Sequence, residues 1–201
     1  MTARLFECGL AALTHRGETE SGDRHVVASF DRGALVAVID ALGHGRDASR
    51  AADLAAGVLA RHVNEMPIDL VERCHSEMRD SRGAAMSLAS FDWKLSAITW
   101  LAVGNVTGVL VHAEAQANAR VESLLLRSGV VGYRLPELHH SLLPVSRGDT
   151  LILATDGVCS DFTKMLPSAG EPQPMADRIL GDYASRDDDA MVLVFRYNGF
   201  S

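Results

Sequence analysis

Short apolar runs separated by short turns fill the second half of this chain, and they limit its fold more than any other feature. From Ala84 onward the runs are AAMSLASFD, KLSAITWLAVG, TGVLVHA and VESLLLRSG, with turns at Asp92, Gly104-Asn105 and Gln116-Ala117-Asn118. Parallel neighbours need a long crossover, so connections this short predict antiparallel pairing. Residues 24–30 (RHVVASF) and 34–39 (ALVAVI) predict a further hairpin, closed by Asp31-Arg32-Gly33. Two more strands are expected, one from Asp149-Thr150 to Ala154 and one over Val192–Tyr197.

A helical block lies between these strand-rich flanks. Ala48, Ala51, Ala52, Ala55, Val58, Leu59 and His62 recur at helical spacing from about Asp47 and form one apolar face. A second helix is predicted from Ile68 to Met78, and a short third one near 175–184, after a loop holding Pro167, Pro172 and Pro174. No internal repeat or long linker interrupts the pattern. The expectation is one α+β domain over residues 1–201, with antiparallel sheets and a helical layer.

Charge and motif content remove several functions. Nineteen basic against 26 acidic residues give a net charge of −7, which argues against a nucleic-acid backbone binder. The only lysines, Lys94 and Lys164, do not follow a glycine, so the phosphate-binding loop of P-loop NTPases is missing. Gly43-His44-Gly45-Arg46-Asp47-Ala48 has the spacing of a dinucleotide fingerprint. The region that should supply its second strand reads as helix, however, and Asp40 would repel a pyrophosphate. GxSxG and HExxH are absent, and Cys74 to Arg79 is one residue short of a tyrosine-phosphatase loop. Cys8, Cys74 and Cys159 form no CxxC pair, so buried or half-buried free thiols in a reducing, cytoplasmic setting are expected. No apolar window is long enough for a membrane span.

Three apolar strands begin or end in aspartate: Val36 to Asp40, Leu151 to Asp156, and the strand after Asp187-Asp188-Asp189. One such residue is ordinarily a cap or turn residue. Three that converge repel one another unless a cation lies between them, and all-oxygen ligands select Mg²⁺ or Mn²⁺ over zinc.

Asp40-Ala-Leu-Gly-His-Gly45, Ser81-Arg-Gly-Ala84, Val103-Gly-Asn105, Thr155-Asp-Gly157 and Asp188-Asp189 follow the order of motifs in the metal-dependent PP2C-type serine/threonine phosphatases. The chain resembles that family over nearly its whole length, most closely its SpoIIE-like branch. The run Ser128 to Pro136 and the lack of a sensor domain are similar to stressosome feedback phosphatases within it.

The resemblance implies an α-β-β-α sandwich of two antiparallel sheets flanked by helices, with two Mn²⁺ or Mg²⁺ ions at one edge. Asp40 would bridge the ions, with Asp156 and Asp188 as further ligands and Asp189 as the alternative register. Ala41, where the family usually has glycine, would offer its carbonyl, and Asp23 of Ser21-Gly-Asp23 would act through water. Asp40, Asp156 and Asp188 thus carry catalysis, with His44 the nearest candidate for a general acid. Two departures stand out. Asn105 replaces a family aspartate, so no tight third metal is expected there. Glu18 stands where eukaryotic members place a phosphate-binding arginine, leaving Arg16 or Arg24 to substitute. His139-His140 reads as an exposed loop pair, and Trp93 and Trp100 read as packing residues.

The implied activity is hydrolysis of phosphoserine or phosphothreonine on stressosome proteins with a sulfate-transporter/anti-sigma-antagonist (STAS) domain, by a monomer with no nucleic-acid or membrane partner. Two rivals remain at this stage. One is a phosphatase acting on a free anti-sigma factor antagonist, and the other is a pseudophosphatase that binds phosphoproteins without turnover.

Overall fold

The computed structural model describes residues 5–113, 121–164, 166 and 170–199, so the expected turn at Gln116-Ala117-Asn118 and Pro167 lie outside the described residues. Among these described residues, ten strands and three α-helices follow in the order β1 (Phe6–Leu13), β2 (Asp23–Phe30), β3 (Gly33–Ala41), α1 (Arg46–Arg61), α2 (Pro67–Glu77), β4 (Ala84–Asp92), β5 (Ala97–Val103), β6 (Thr107–Val111), β7 (Val121–Ser123), β8 (Ser141–Pro144), β9 (Thr150–Ala154), α3 (Pro172–Tyr183) and β10 (Ala190–Tyr197). A 3₁₀ turn over Ser160–Lys164 precedes α3.

The strands form two five-stranded sheets, ordered β1-β10-β9-β6-β7 and β2-β3-β4-β5-β8. Every pairing is antiparallel. The hairpin at Asp31-Arg32 forms as expected, with Phe30 opposite Gly33.

The unbroken apolar run of β3 follows from its place in the middle of a layered structure. Side chains alternate across a strand. Ala34, Val36 and Val38 therefore face the other sheet, where they meet Phe91, Trp100, Leu151, Leu193 and Phe195. Leu35, Ala37 and Ile39 face α1 and α2 and pack with Ala52, Ala55, Leu59 and Leu70. The other sheet turns Val109, Ile152 and Val192 toward Phe162, Met175 and Ile179, from the 3₁₀ turn and α3. The result is the expected α-β-β-α sandwich. Trp93 and Trp100 are both buried in the layer between the sheets, and Trp100 Nε1 donates to Ser87 Oγ at 3.0 Å.

Three expectations need correction. Runs joined at Gly104-Asn105 were expected to pair, yet β5 and β6 belong to different sheets. Gly104 takes φ 93° with its Cα against Ala85, where a Cβ has no room, so the chain can cross from one sheet to the other in a tight turn. VESLLLRSG supplies only the three residues of β7. Two strands went unpredicted. β1 is a sheet edge, and its sequence FECGLAAL alternates poorly. β8 is a four-residue edge strand ending in proline.

Candidate metal centre

The acidic strand ends meet because the two sheets present the same edge. Asp40, the penultimate residue of β3, faces Asp23, the first residue of β2, directly across the ladder. From the other sheet, β9 runs into Thr155-Asp156-Gly157, and Asp187-Asp188-Asp189 leads into β10. A cavity of about 600 Å³ opens here, with Asp40, Asp156, Asp187 and Asp188 in its wall. His15, Leu42, Gly43, His44, Asn105 and Ser128 also line it, and among the described residues no lysine or arginine does. A larger groove of about 720 Å³ lies between Leu5–Cys8 and Glu171–Gln173, and it gathers no such cluster of carboxylates.

The structure separates the two neighbours of the aspartate run. Asp188 lines the cavity, and its Oδ1 accepts the Asp189 N–H at 2.8 Å. Asp189 is only 4% exposed, and its two oxygens accept the backbone N–H groups of His15 at 2.8 Å and Gly22 at 2.7 Å. It ties two segments of the β1–β2 connection to the start of β10.

Asp23 sits behind the cavity and is 2% exposed; it accepts Thr155 Oγ1–H at 2.8 Å. Thr155 Oγ1 in turn accepts the Met191 N–H at 2.8 Å, so the Thr155–Asp23 bond that links the two sheets is anchored on β10. Asn105 Nδ2 donates to Asp156 Oδ2 at 2.5 Å. Ala41 is buried at the end of β3, and its N–H donates to the Gly22 carbonyl at 3.1 Å.

His44 lies on the turn into α1, between Gly43 and Gly45, which take φ 81° and 75°. Glu18 Oε1 is 2.7 Å from His44 Nδ1. A carboxylate only accepts, so His44 carries a proton on Nδ1. The His15 ring stacks on His44, with centroids 4.3 Å apart and planes 4° from parallel.

Of the two arginines considered for phosphate, Arg24 is committed elsewhere. Its guanidinium reaches Asp53 at 2.6 Å, Ser49 Oγ at 2.7 Å and the carbonyls of Ser21 and Asp23 at 2.8 Å, bracing β2 against α1. Arg16 is exposed. His139 and His140 are exposed, as expected of a loop pair.

The electrostatics of this edge call for positive charge. Burial pushes the Asp40 carboxyl up to about 8, helped by repulsion from Asp23 and Asp156. Burial likewise raises Asp23 to about 7; the Thr155 hydrogen bond works against this, while Asp189, Asp156 and Asp188 add to it. Asp156 is raised too, by burial first and then by Asp188. Neutral Asp40 donates a hydrogen bond to Asp156, a way for crowded carboxylates to coexist without a cation. Crowded oxygen donors of this kind, with no lysine or arginine among the described lining residues, suit a hard divalent cation.

A helix-flanked pair of antiparallel sheets with carboxylates gathered at one edge is the architecture of the PP2C-type metal-dependent protein serine/threonine phosphatases. The structure matches the PP2C phosphatase domain and regulatory fragment of SpoIIE from Bacillus subtilis, with a TM-score of 0.82 and 18% identity, covering 98% of this chain and 64% of that one. The family model for stage II sporulation protein E (SpoIIE) matches residues 31–198, and the chain belongs to that family.

Among its relatives is the phosphoserine phosphatase RsbX of Bacillus subtilis (strain 168), 22% identical over 178 residues, which span 88% of this chain and 87% of RsbX. A crystal structure of RsbX in complex with magnesium matches with a TM-score of 0.87 at 21% identity and covers 98% of both chains. A chain from a structure of the bacterial stressosome, a modular system adapted to control secondary messenger signaling, matches with the same TM-score of 0.87 at 26% identity, over 96% of this chain and 100% of that one. Among the described residues, no helix is long and apolar enough to cross a membrane.

Sequence reasoning missed Thr155, which links Asp23 to the second sheet, as well as His15 and the pairing of Glu18 with His44. The motifs supplied the aspartates. In residues 14–20 the resemblance marked Glu18 and Arg16 for their place beside a phosphate, and gave no sign that His15 lines the cavity or that Glu18 holds His44.

Proposed function

We propose that this chain is a cytoplasmic phosphatase of the stressosome, removing phosphate from phosphoserine or phosphothreonine on STAS-domain proteins, with two Mn²⁺ or Mg²⁺ ions held at the edge of the sandwich. The observation that carries this reading is the convergence of Asp40, Asp156 and Asp188 from both sheets in one open cavity. The likeness to RsbX and to the stressosome chain supports the substrate class.

In this reading Asp40 would be shared between the ions, Asp156 and Asp188 would complete the carboxylate set, and the Ala41 carbonyl would add a donor. Bound there, divalent cations supply Lewis acidity and a nucleophilic water at neutral pH. Asp188 takes the ligand role and Asp189 does not, because both Asp189 oxygens are committed to backbone N–H groups. Asp23 supports Asp40 from behind and orders water. His44, oriented by Glu18, protonates the departing serine or threonine oxygen. Asn105 donates to Asp156, a neutral contact that gives a third cation little reason to bind. Among the described residues the wall presents no activated cysteine: Cys74 is buried as expected, whereas Cys8 and Cys159 are exposed, against expectation, and neither lines the cavity.

Phosphate release from phosphorylated STAS-domain proteins tests this, measured with Mn²⁺, with chelator, and with Asp40→Asn. Release that requires both the metal and Asp40 supports the reading. Release only from a free anti-sigma factor antagonist would shift the substrate. Tight phosphoprotein binding with no release under any condition would replace catalysis with a binding role.

A further inference from the structure

Next to the carboxylates, the cavity wall carries a second set of metal-ligating groups with a different chemistry. One ligand atom each from His15, Glu18 and His44 lies within 4.8 Å of the others. His15 Nδ1 is buried and, among the described residues, has no hydrogen-bond partner, an arrangement that costs free energy. Both histidines line the same cavity as Asp40, Asp156 and Asp188.

We propose that His15, Glu18 and His44 form a separate site for a borderline divalent ion such as Zn²⁺, whose occupancy obstructs the acidic centre. Two imidazoles and a carboxylate form a donor set used by zinc, with the fourth position open to water or substrate, whereas hard Mg²⁺ and Mn²⁺ favour the all-oxygen site beside it. In the metal-free protein a proton bridges His44 and Glu18, and the ion takes its place and releases it.

Tetrahedral zinc ligands stand about 3.3 Å from one another. Closing the triad to that spacing requires movement of the half-exposed His44 and of Glu18, and it tilts the two stacked rings out of parallel. The His15 N–H remains on Asp189, so an ion here is coupled to the residue that fixes the start of β10. An occupied site removes His44 from any proton-transfer role and puts positive charge where the phosphoprotein enters.

Co²⁺ binding to the Asp40→Asn protein tests the site apart from catalysis, because tetrahedral nitrogen ligation gives intense visible bands and six-oxygen ligation gives weak ones. One equivalent with intense bands is expected, with affinity lowered at least about tenfold by His15→Phe, which keeps the ring stack, and by Glu18→Gln. Weak bands only, or equal affinity in both variants, would overturn the proposal.

A second measurement starts from the unmodified chain, whose shifts do not depend on the folding of any variant. With saturating Mg²⁺ in the acidic site, one equivalent of Zn²⁺ should shift the ring resonances of two histidines, and in the His15→Phe protein this pair of shifts should vanish. Shifts confined to other histidines, or none, would count against the site. The inhibition rests on the phosphatase reading, and the two binding measurements do not. Zn²⁺ should inhibit Mn²⁺-supported phosphate release, and His15→Phe should relieve it. Zinc binding without inhibition would overturn the obstruction and leave the site.

Discussion

Asp23 and Asp40 stand directly opposite each other across the β2–β3 ladder, the first carboxyl buried and the second half-buried in the cavity wall. Like charges at opposed positions destabilise a sheet. Burial raises both groups, Asp23 to about 7 with added repulsion from Asp189, Asp156 and Asp188, and Asp40 to about 8 with added repulsion from Asp23 and Asp156. Stability in chelator therefore falls as pH rises from the usual carboxylate range toward 8, and a cation restores it. Asp40→Asn should therefore melt higher than the parent in chelator at pH 8, by about 2–4 °C for each kcal/mol of repulsion removed. Mn²⁺ should raise the melting temperature of the parent and leave that of the variant unchanged. Phosphatase activity should fall at least about 100-fold. Thermal melts with Mn²⁺ and with chelator check the stability arm, and a variant less stable than its parent in chelator would refute the repulsion argument.

The contact from Asn105 to Asp156 makes the opposite prediction. Asn105→Asp exchanges a donor for a second carboxylate against a group already raised by burial and by Asp188. In chelator this variant should melt a few degrees lower, about 2–4 °C per kcal/mol lost. Mn²⁺ should recover the loss, and equilibrium dialysis should find one more bound equivalent than in the parent. Unchanged stoichiometry would mean that the amide is not what limits cation number at this edge.

Cys74 offers a test of packing away from the metal edge. It is buried among Ala55, Leu59 and Leu70, and burial pushes its thiol up to about 12, from a starting value of 9.0. Iodoacetamide should label the exposed Cys8 and Cys159 in the native protein and spare Cys74 until unfolding, as read by peptide mass spectrometry. The pH dependence follows from the raised value. The thiol's contribution to stability is complete below pH 9, where it is protonated in both states. It declines as pH rises toward 12, because the unfolded chain ionises first. Cys74→Ala should flatten that part of the stability profile.

The parts of this molecule that could be read from sequence were those with one dominant cause. The α1 face was legible because alanines at helical spacing have one way to be buried, and Ala48, Ala51, Ala52 and Ala55 all are. The hairpin at Asp31-Arg32 was legible because a two-residue connection leaves the strands no alternative. The crossing at Gly104 was not, since a tight turn between two apolar runs looks the same whether the runs pair or separate into facing sheets. The acidic strand ends could be listed in order, but their convergence depends on how two sheets stack, which no local pattern records. Glu18, His15 and Thr155 reach the edge through long-range contacts alone, as the Thr155–Asp23 hydrogen bond shows.

The adjacent residues Asp188 and Asp189 should separate ligand from clamp. Asp188 lines the cavity, whereas Asp189 is buried and holds the N–H groups of His15 and Gly22. Hydrogen bonds to a charged group contribute about 1.5–3 kcal/mol each, so Asp189→Ala should lose about 2–4 kcal/mol after partial relaxation. Urea denaturation in chelator measures that loss directly. Asp188→Asn removes a repelling charge from the open cavity and should leave the urea midpoint equal to or above that of the parent. Metal affinity should behave differently in the two proteins. Asp188→Asn should weaken Mn²⁺ binding at least about tenfold, and it should stay weak at every temperature where the protein is folded. Asp189→Ala should bind Mn²⁺ normally at low temperature and lose it only as the β1–β2 connection melts. Equal loss of metal in both proteins at low temperature would mean that the clamp is itself a ligand, and that the aspartate run is used in the other register.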